Sequence, residues 1–371
     1  MKTDPVVTES ELNIKLDRIR KLLVQFKLDA LLLKRTSNFS WATCGADSHI
    51  NTADSFGTAS LLITPTHHYV LTNNIESPRL TLEEELAKQG WDFHISPWYS
   101  GKDKISELTG GMKLGADFSF PKALDLSQEI AQLRFNLTSE ESNRFRALGS
   151  LCAQGMQQAI MIVSPGMSEF EAAGLLSQAV ESRGVQVTVN LIAFDDRIFS
   201  YRHPLPTSKK LQHYAMLVVC GRKWGLICSL TRLIHFGPLP DDVRHKAEAV
   251  AQIDAAMIAA TRPENTMGDV FHKVQAAYAS VGFPDEWQLH HQGGLAGYEP
   301  REIIATPMSS QPILLGQAYA WNPSITGVKS EDTILVGEQT NEILTEIVNW
   351  PAIEVQIGDQ RIKRPAILEI K

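Results

Sequence analysis

Residues 165–184, PGMSEFEAAGLLSQAVESRG, and residues 263–282, PENTMGDVFHKVQAAYASVG, share one pattern of punctuation. Each opens on a proline and closes on a glycine, at a constant offset of 98 residues (263 − 165 and 282 − 184). Three residues after each proline stands a hydroxyl side chain with an acid three further on, Ser168 with Glu171 and Thr266 with Asp269, which is the spacing of a helix-capping box. An amphipathic helix follows in both copies, carried by Phe170, Leu176 and Val180 in the first and by Val270, Val274 and Tyr278 in the second. Two ordinary Pro-to-Gly helices would look similar by coincidence. A repeat at this period instead marks two copies of one supersecondary unit.

Working outward, each copy is preceded by a longer helical pattern. The first starts at a further capping box, Thr138-Ser-Glu-Glu141, and continues through Phe145, Leu148, Cys152, Met156 and Ile160. The second runs through Val243, Ala247, Val250, Ile253 and Met257 and is stopped by Pro263. After the first copy, Val185, Val187, Val189 and Leu191 alternate with Gln186, Thr188 and Asn190, the period of a half-buried strand. Further strands are predicted over 214–220, 226–231, 317–321 and 333–336. Two helix-helix-sheet halves make residues 138–371 a pseudo-twofold α+β domain. Residues 1–137 read as a smaller α/β domain. It has a helix through Leu16, Ile19, Leu23 and Phe26, apolar strands over 30–33, 61–63, 69–71 and 114–116, and a helical pattern from Leu80 to Ala87.

A chain of 371 residues, 43% hydrophobic and 21% charged, has room for two buried cores. The formal charge of −7 and the absence of any Lys/Arg-rich run argue against a nucleic-acid partner. No apolar run is long enough to span a membrane, and the polar N-terminus does not read as a signal peptide. Cys44, Cys152, Cys220 and Cys228 form neither a CxxC pair nor a disulfide framework, so a reducing cytoplasm is the expected compartment.

Three stretches of the second domain resemble the creatinase, prolidase, aminopeptidase P and methionine aminopeptidase superfamily. Residues 216–232, MLVVCGRKWGLICSLTR, are similar to a strand with an Asp-x-Gly turn followed by Gly-Tyr-x-x-Asp-x-Thr-Arg. Residues 290–300, HHQGGLAGYEP, are similar to Gly-His-Gly-x-Gly-Leu followed by His-Glu-x-Pro. Residues 321–324, WNPS, and 327–333, GVKSEDT, are similar to Glu-Pro-Gly and Gly-x-x-x-Glu-Asp-Thr. The resemblance implies a pita-bread domain preceded by a creatinase-type α/β domain, and a homodimer.

It also implies two divalent metals held by two Asp, one His and two Glu. Matched residue by residue, those positions fall on Val219, Ser229, His291, Asn322 and Glu331, so three of the five ligands are missing. Two dications about 3.5 Å apart repel by roughly 19 kcal/mol at an effective dielectric of about 20. Four carboxylates offset this in the family, and one remains here. Strand alternation turns Cys220 and Cys228 away from the face expected to carry Val219 and Ser229, which makes them buried structural cysteines rather than replacement ligands. No metal and no cofactor is therefore expected.

Creatinase implies that the fold can work without metal, through a histidine in the loop before the first ligand strand. Here Tyr201-Arg-His-Pro204 occupies that place, making His203 the first catalytic candidate, although a His before Pro in a polar loop is more often plain surface. Imidazole accepts and returns protons near neutral pH. Glu331 is a catalytic candidate that would position His203 or share its load, and His291 is a second base or a hydrogen-bond donor to a carbonyl or carboxylate. Tyr298 stands where the family has a second His and is a candidate oxyanion donor. Arg202 and Arg301 are candidates for a substrate carboxylate, with solvated loop arginines the plainer account. Ser229 and Asn322 would contact substrate from the old ligand positions. Glu299 either joins them or caps a turn, and Arg232 with Asp332 reads as an ion pair within the sheet. Gly293-Gly294 reads as backbone geometry. Three functions stay open: a metal-independent hydrolase of a small C–N bonded substrate, a non-catalytic relative that binds a peptide or small molecule, and an Xaa-Pro peptidase with an unfamiliar ligand set.

Overall fold

The computed structural model describes residues 8–100 and 104–371. The chain divides into two compact units, Met1–Glu141 and Ser142–Lys371.

In the first unit the elements run α1 (Glu9–Phe26), β1 (Ala30–Arg35), α2 (Thr36–Ala42), β2 (Phe56–Ile63), β3 (His68–Asn73), α3 (Ser77–Leu82), β4 (Asp92–Ser96), α4 (Lys104–Leu108), β5 (Leu114–Ala116), β6 (Leu124–Asp125) and α5 (Ser127–Leu133). One mixed sheet of order β4-β3-β2-β1-β5-β6 forms its centre. The uninterrupted apolar run Ala30–Leu33 is wholly buried, as a central strand covered on both faces requires. Helix α1 buries Leu12, Leu16, Ile19, Leu22 and Leu23 as one stripe. The helical pattern expected from Leu80 to Ala87 is cut short, since α3 ends at Leu82. The Glu84 carboxylate accepts from the Asp47 N–H (3.0 Å) and from Arg79 (2.9 Å), which draws the chain out of the helix, and Leu86 reaches the core through a turn instead.

Helix α6 (Ser139–Ile160) begins in the last residues of the first unit and runs on as the first helix of the second; at its start the Thr138 N–H donates to Glu141 (2.7 Å) and the Glu141 N–H donates back to Thr138 Oγ1 (3.2 Å). There follow α7 (Glu169–Glu181), β7 (Gln186–Phe194), α8 (Asp196–Ser200), β8 (Tyr214–Lys223), β9 (Leu226–Phe236), α9 (Asp241–Ala260), α10 (Met267–Ser280), β10 (Gly293–Ala296), β11 (Ile303–Ile304), β12 (Ala318–Trp321), β13 (Ser324–Ile325), β14 (Val328–Lys329), β15 (Asp332–Leu335), β16 (Glu342–Ile343), β17 (Ala352–Ile357), β18 (Gln360–Pro365) and β19 (Leu368–Ile370). Both repeat helices, α7 and α10, carry complete capping boxes at the residues named from sequence. One half contributes the sheet β19-β9-β8-β7 and the other the sheet β11-β10-β12-β15-β16.

The two sheets are stitched together along β9 and β15. The Ser229 N–H donates to Thr333 Oγ1 (2.8 Å), whose hydroxyl donates to the Ser229 carbonyl (3.0 Å), and the Thr231 N–H donates to the Glu331 carbonyl (3.2 Å). Behind this seam lies a buried ionic network. Arg364 donates to Asp254 and Asp332 (2.7 Å each), and Arg232 pairs with the other Asp332 oxygen (2.8 Å), as expected for Arg232 and Asp332. Arg364 comes from the β17–β18 hairpin, which packs on α9 through Val355, Ile353 and Ile362 against Ala251 and Ala255. The network fixes the start of β15, hence the position of Glu331. Removing one partner strands a buried charge, so Arg364→Met is expected to lower the unfolding free energy by about 3–5 kcal/mol in urea titration.

Candidate functional site

Glu331 sits at the seam, 3% exposed, with both carboxylate oxygens engaged. Oε2 accepts from Lys329 Nζ (2.7 Å) and Thr231 Oγ1 (2.6 Å), and Oε1 accepts from Arg301 Nη2 (3.1 Å). Burial opposes ionisation of this carboxyl, but the Lys329 ammonium and the Arg301 guanidinium outweigh it and hold the pKa down at about 2. Glu331 is therefore a fixed anion bonded to cations. The sequence reading made it a partner of a catalytic histidine, and its bonds go elsewhere.

The β8–β9 register corrects the expected faces. Cys220 lies opposite Ser229, and Val219 lies opposite Leu230. Directly opposed residues share a face, so Ser229 faces Cys220 and not Val219. Cys220 Sγ and Ser229 Oγ are 3.2 Å apart, and Arg301 Nη1 donates to Ser229 Oγ (3.2 Å). Burial pushes the Cys220 thiol up to about 11, with the Glu331 charge adding to the effect. Cys228 does lie on the opposite face, paired with Gly221.

The metal pair implied by the resemblance does not fit these residues. A serine and an amide stand at two ligand positions, and no carboxylate faces Ser229 across the hairpin. The one carboxylate is saturated by protein cations where ions would have to bind. Among the described residues, the only group of three or more His, Cys, Asp or Glu side chains close enough to share one ion is His203, His290 and His291, with one ring nitrogen from each lying within 4.8 Å of the others. No carboxylate belongs to that set. Its shortest contact, His203 Nε2 to His290 Nε2 at 3.0 Å, has the length of an N–H···N hydrogen bond, which uses both nitrogens.

Local ties bring the three imidazoles together. His203 follows α8 in a loop held by Arg202, which donates to Glu286 (2.5 Å) and to Thr326 Oγ1 (3.0 Å). Glu286 opens the 3-10 turn Glu286–Leu289 that leads directly into His290. Gln292, fully buried, donates to the carbonyls of His290 (2.7 Å) and Trp287 (3.0 Å) while accepting from the Tyr278 hydroxyl (2.9 Å). Gly293 then enters β10 at φ +100°, where a Cβ would lie 2.1 Å from the Ala320 carbonyl oxygen. The glycine pair is thus a close backbone approach. Ring centroids are 4.6–5.6 Å apart across the three pairs.

All three imidazoles are shifted below their ordinary value. Burial, then the positive charge of Lys329, lowers the pKa of His290 to about 2. Burial, then Arg301, lowers that of His291 to about 4. His203 is exposed at residue level, and partial desolvation followed by Lys329 shifts it below its ordinary value. Beside this cluster lies a cleft of about 240 Å³, its solvent mouth included, lined by Ile198, Tyr201, Met216, Val328, His290 and Lys329 together with Arg202 and Ser324. Buried polar atoms without a hydrogen-bond partner gather on these same residues and their neighbours: His290 Nδ1, His291 Nδ1, Ser324 Oγ, Asn322 Oδ1 and Arg301 Nε. Such groups are rare in a finished core and mark a place where something polar binds.

The candidates drawn from sequence fare unevenly. His203 and His291 do come together. Arg202 and Arg301, expected to take a substrate carboxylate, are instead paired with Glu286 and Glu331. Asn322 is buried at the end of β12, and its N–H donates to the Gln292 carbonyl (3.1 Å). Tyr298 is a buried ring just beyond β10, with its N–H donating to Glu302 (2.9 Å). Glu299 is half-buried on the following turn, where its carbonyl accepts from the Gly297 N–H (3.2 Å). The sequence reading missed His290, which stands where the family has glycine, and Lys329. Lys329 carried a signal: it lies two residues before Glu331, the spacing that puts two side chains on one face of an extended chain.

A family model, "Metallopeptidase family M24", matches residues 143–338, more than half of the chain. An uncharacterized peptidase of Staphylococcus aureus (strain MW2) is 24% identical over 230 residues, which cover 60% of this chain and 65% of that relative. The chain therefore spans just under two thirds of the curated relatives that it matches. Among solved structures, the prolidase from Pyrococcus horikoshii OT3 superposes with a TM-score of 0.76 at 18% identity, covering 90% of this chain and 98% of that one. The N-terminal domain of the FACT complex subunit SPT16 from chickpea, Cicer arietinum, gives 0.68 at 12% identity, covering 92% and 97%. These likenesses establish the fold expected from the three motif stretches, a small N-terminal α/β domain followed by a pita-bread domain. The chain belongs to metallopeptidase family M24.

Proposed function

We propose that this chain hydrolyses a C–N bond, amide or amidine, in a small substrate, without a metal ion and with His203 as the proton carrier. The observation that carries this reading is the 3.0 Å contact between His203 Nε2 and Nε2 of His290, a residue that lines the cleft. It makes one imidazole the orienting partner of the other, the logic of a base held by a second group. We assign the shared proton to His203 Nε2, so that His290 accepts it and carries its own proton on Nδ1. His203 Nδ1 is then left as the lone pair of an exposed residue. It takes a proton from water as the water oxygen bonds to the substrate carbon, and a tetrahedral oxyanion forms. The unpartnered Nδ1 of His291, on a ring centred 5.6 Å from that of His203, is the donor available to that oxyanion. The proton on His203 passes to the departing nitrogen, the C–N bond breaks, and both imidazoles return to their starting tautomers. Hydrolysis of an amide in this way yields an acid and an amine.

The second reading, a protein that binds without catalysis, draws on the loss of the carboxylates at the old ligand positions. Turnover separates the two. On the hydrolase reading His203→Ala lowers kcat by about 10²–10⁴-fold with the fold intact, the usual weight of a general base. No turnover of any small amide or amidine, with unchanged ligand affinity in His203→Ala, would favour the binding protein.

The neutral imidazoles also set pH behaviour. Because His203 titrates below its ordinary 6.5, the acid limb of kcat/KM is expected below pH 6.5, and it should move upward in Lys329→Met, which removes a nearby positive charge. His290 and His291 remain neutral in the fold while the unfolded chain protonates them around 6.5, so the unfolded state binds more protons below that pH. Stability is thus fully present above pH 6.5 and is lost as pH falls towards the folded values of about 2 and 4. At pH 5 the loss is about 2 kcal/mol for His290, from roughly 1.36 kcal/mol per pH unit, and about 1 kcal/mol for His291, whose less complete burial lets solvent screen the shift. Urea unfolding at pH 7.5 and pH 5 checks this: the double variant His290→Gln/His291→Gln is expected to lose about 3 kcal/mol less than the parent between the two conditions.

A further inference from the structure

The charges bordering the cleft do not cancel. Of the residues that line it, Arg202 is matched by Glu286, while Lys329 shares Glu331 with Arg301. Three cations face two carboxylates, leaving one positive charge without a counterion among these residues. Lys329 is 7% exposed, so this charge lies at the cleft wall and not in free solvent. Next to it the buried Ser324 hydroxyl and His290 Nδ1 have no partner, and both residues line the same cleft. The opposite character is supplied by Ile198, Met216 and Val328.

We propose that the substrate is a small carboxylate with a short apolar body and no ammonium group, its anionic end held by Lys329, Ser324 and His290. As a substrate class this is an amino-blocked carboxylate, such as an N-acylated amino acid. A peptide with a free amino terminus would bring a second cation into a site that already has one to spare. The choice of substrate rests on the hydrolase reading, whereas the anion preference itself can be read by binding alone.

The test is calorimetric titration of the full chain at low ionic strength with three ligands of one shape: isovalerate, isovaleramide and isoamylamine. Isovalerate is expected to bind about tenfold or more tightly than the amide, as a charge-assisted contact would give, and isoamylamine is expected not to compete. Lys329→Met should weaken isovalerate by about tenfold or more, while Lys329→Arg retains most of the affinity. Should Lys329→Met fail to fold by circular dichroism, Ser324→Ala serves in its place, with weaker isovalerate binding expected. Amine binding equal to that of the acid, no isovalerate binding by the parent, or an unchanged Kd in the folded variant would each overturn the proposal. Turnover separates the two ideas: isovalerate binding without hydrolysis of N-acetylvaline leaves the anion site standing and removes the hydrolase, while hydrolysis of a free-amino dipeptide and not of N-acetylvaline does the reverse.

Discussion

The carboxylate of Glu331, bonded to Lys329 and Arg301 where the two sheets of the second unit meet, is the contact on which the rest of this site depends. A buried carboxylate needs compensating charge. In the family to which this chain belongs the resemblance assigns that task to divalent ions, and here it falls to two side chains. Once it does, the neighbouring positions no longer need to be acidic, which is consistent with serine at 229 and amide at 322. On the proposed reading these cations set the local charge in place of an ion, which lowers the pKa of the adjacent imidazoles and tilts the cleft towards anions.

The scaffold that holds this arrangement is redundant. Thr333 and Thr231 clasp the two sheets, and the Arg364–Asp254–Asp332–Arg232 network backs them from the far side. Arg202, Glu286 and Thr326 bind the His203 loop to the turn preceding His290, so two loops distant in sequence present their rings to each other. Rigid support of this kind is what a proton-carrying pair needs, because its hydrogen bond must stay in line throughout the reaction.

Much of the fold could be read from the chain. The two capping boxes 98 residues apart lie on α7 and α10, and the apolar runs of the first unit became its central strands, because local propensity and burial agree at those places. Where they conflict the reading failed. Helix α3 ends early because Glu84 has better partners off the helix than on it. The face carrying Ser229 was misjudged because alternation along one strand says nothing of its register with the next, and register alone places Cys220 opposite Ser229. The site was half legible. His203 and His291 emerged from motif positions, but His290 looked like a replaced glycine. The pairing of Arg202 with Glu286 joins residues 84 apart in sequence, which no local pattern announces.

The central claim is that side-chain cations have taken over the work of the metal pair. Plasma mass spectrometry of protein purified without chelator, with each metal quantified per chain, tests it most directly. The account predicts manganese, zinc, cobalt and iron together well below one per chain. One or more tightly held ions per chain would contradict it and return the site to metal-dependent chemistry.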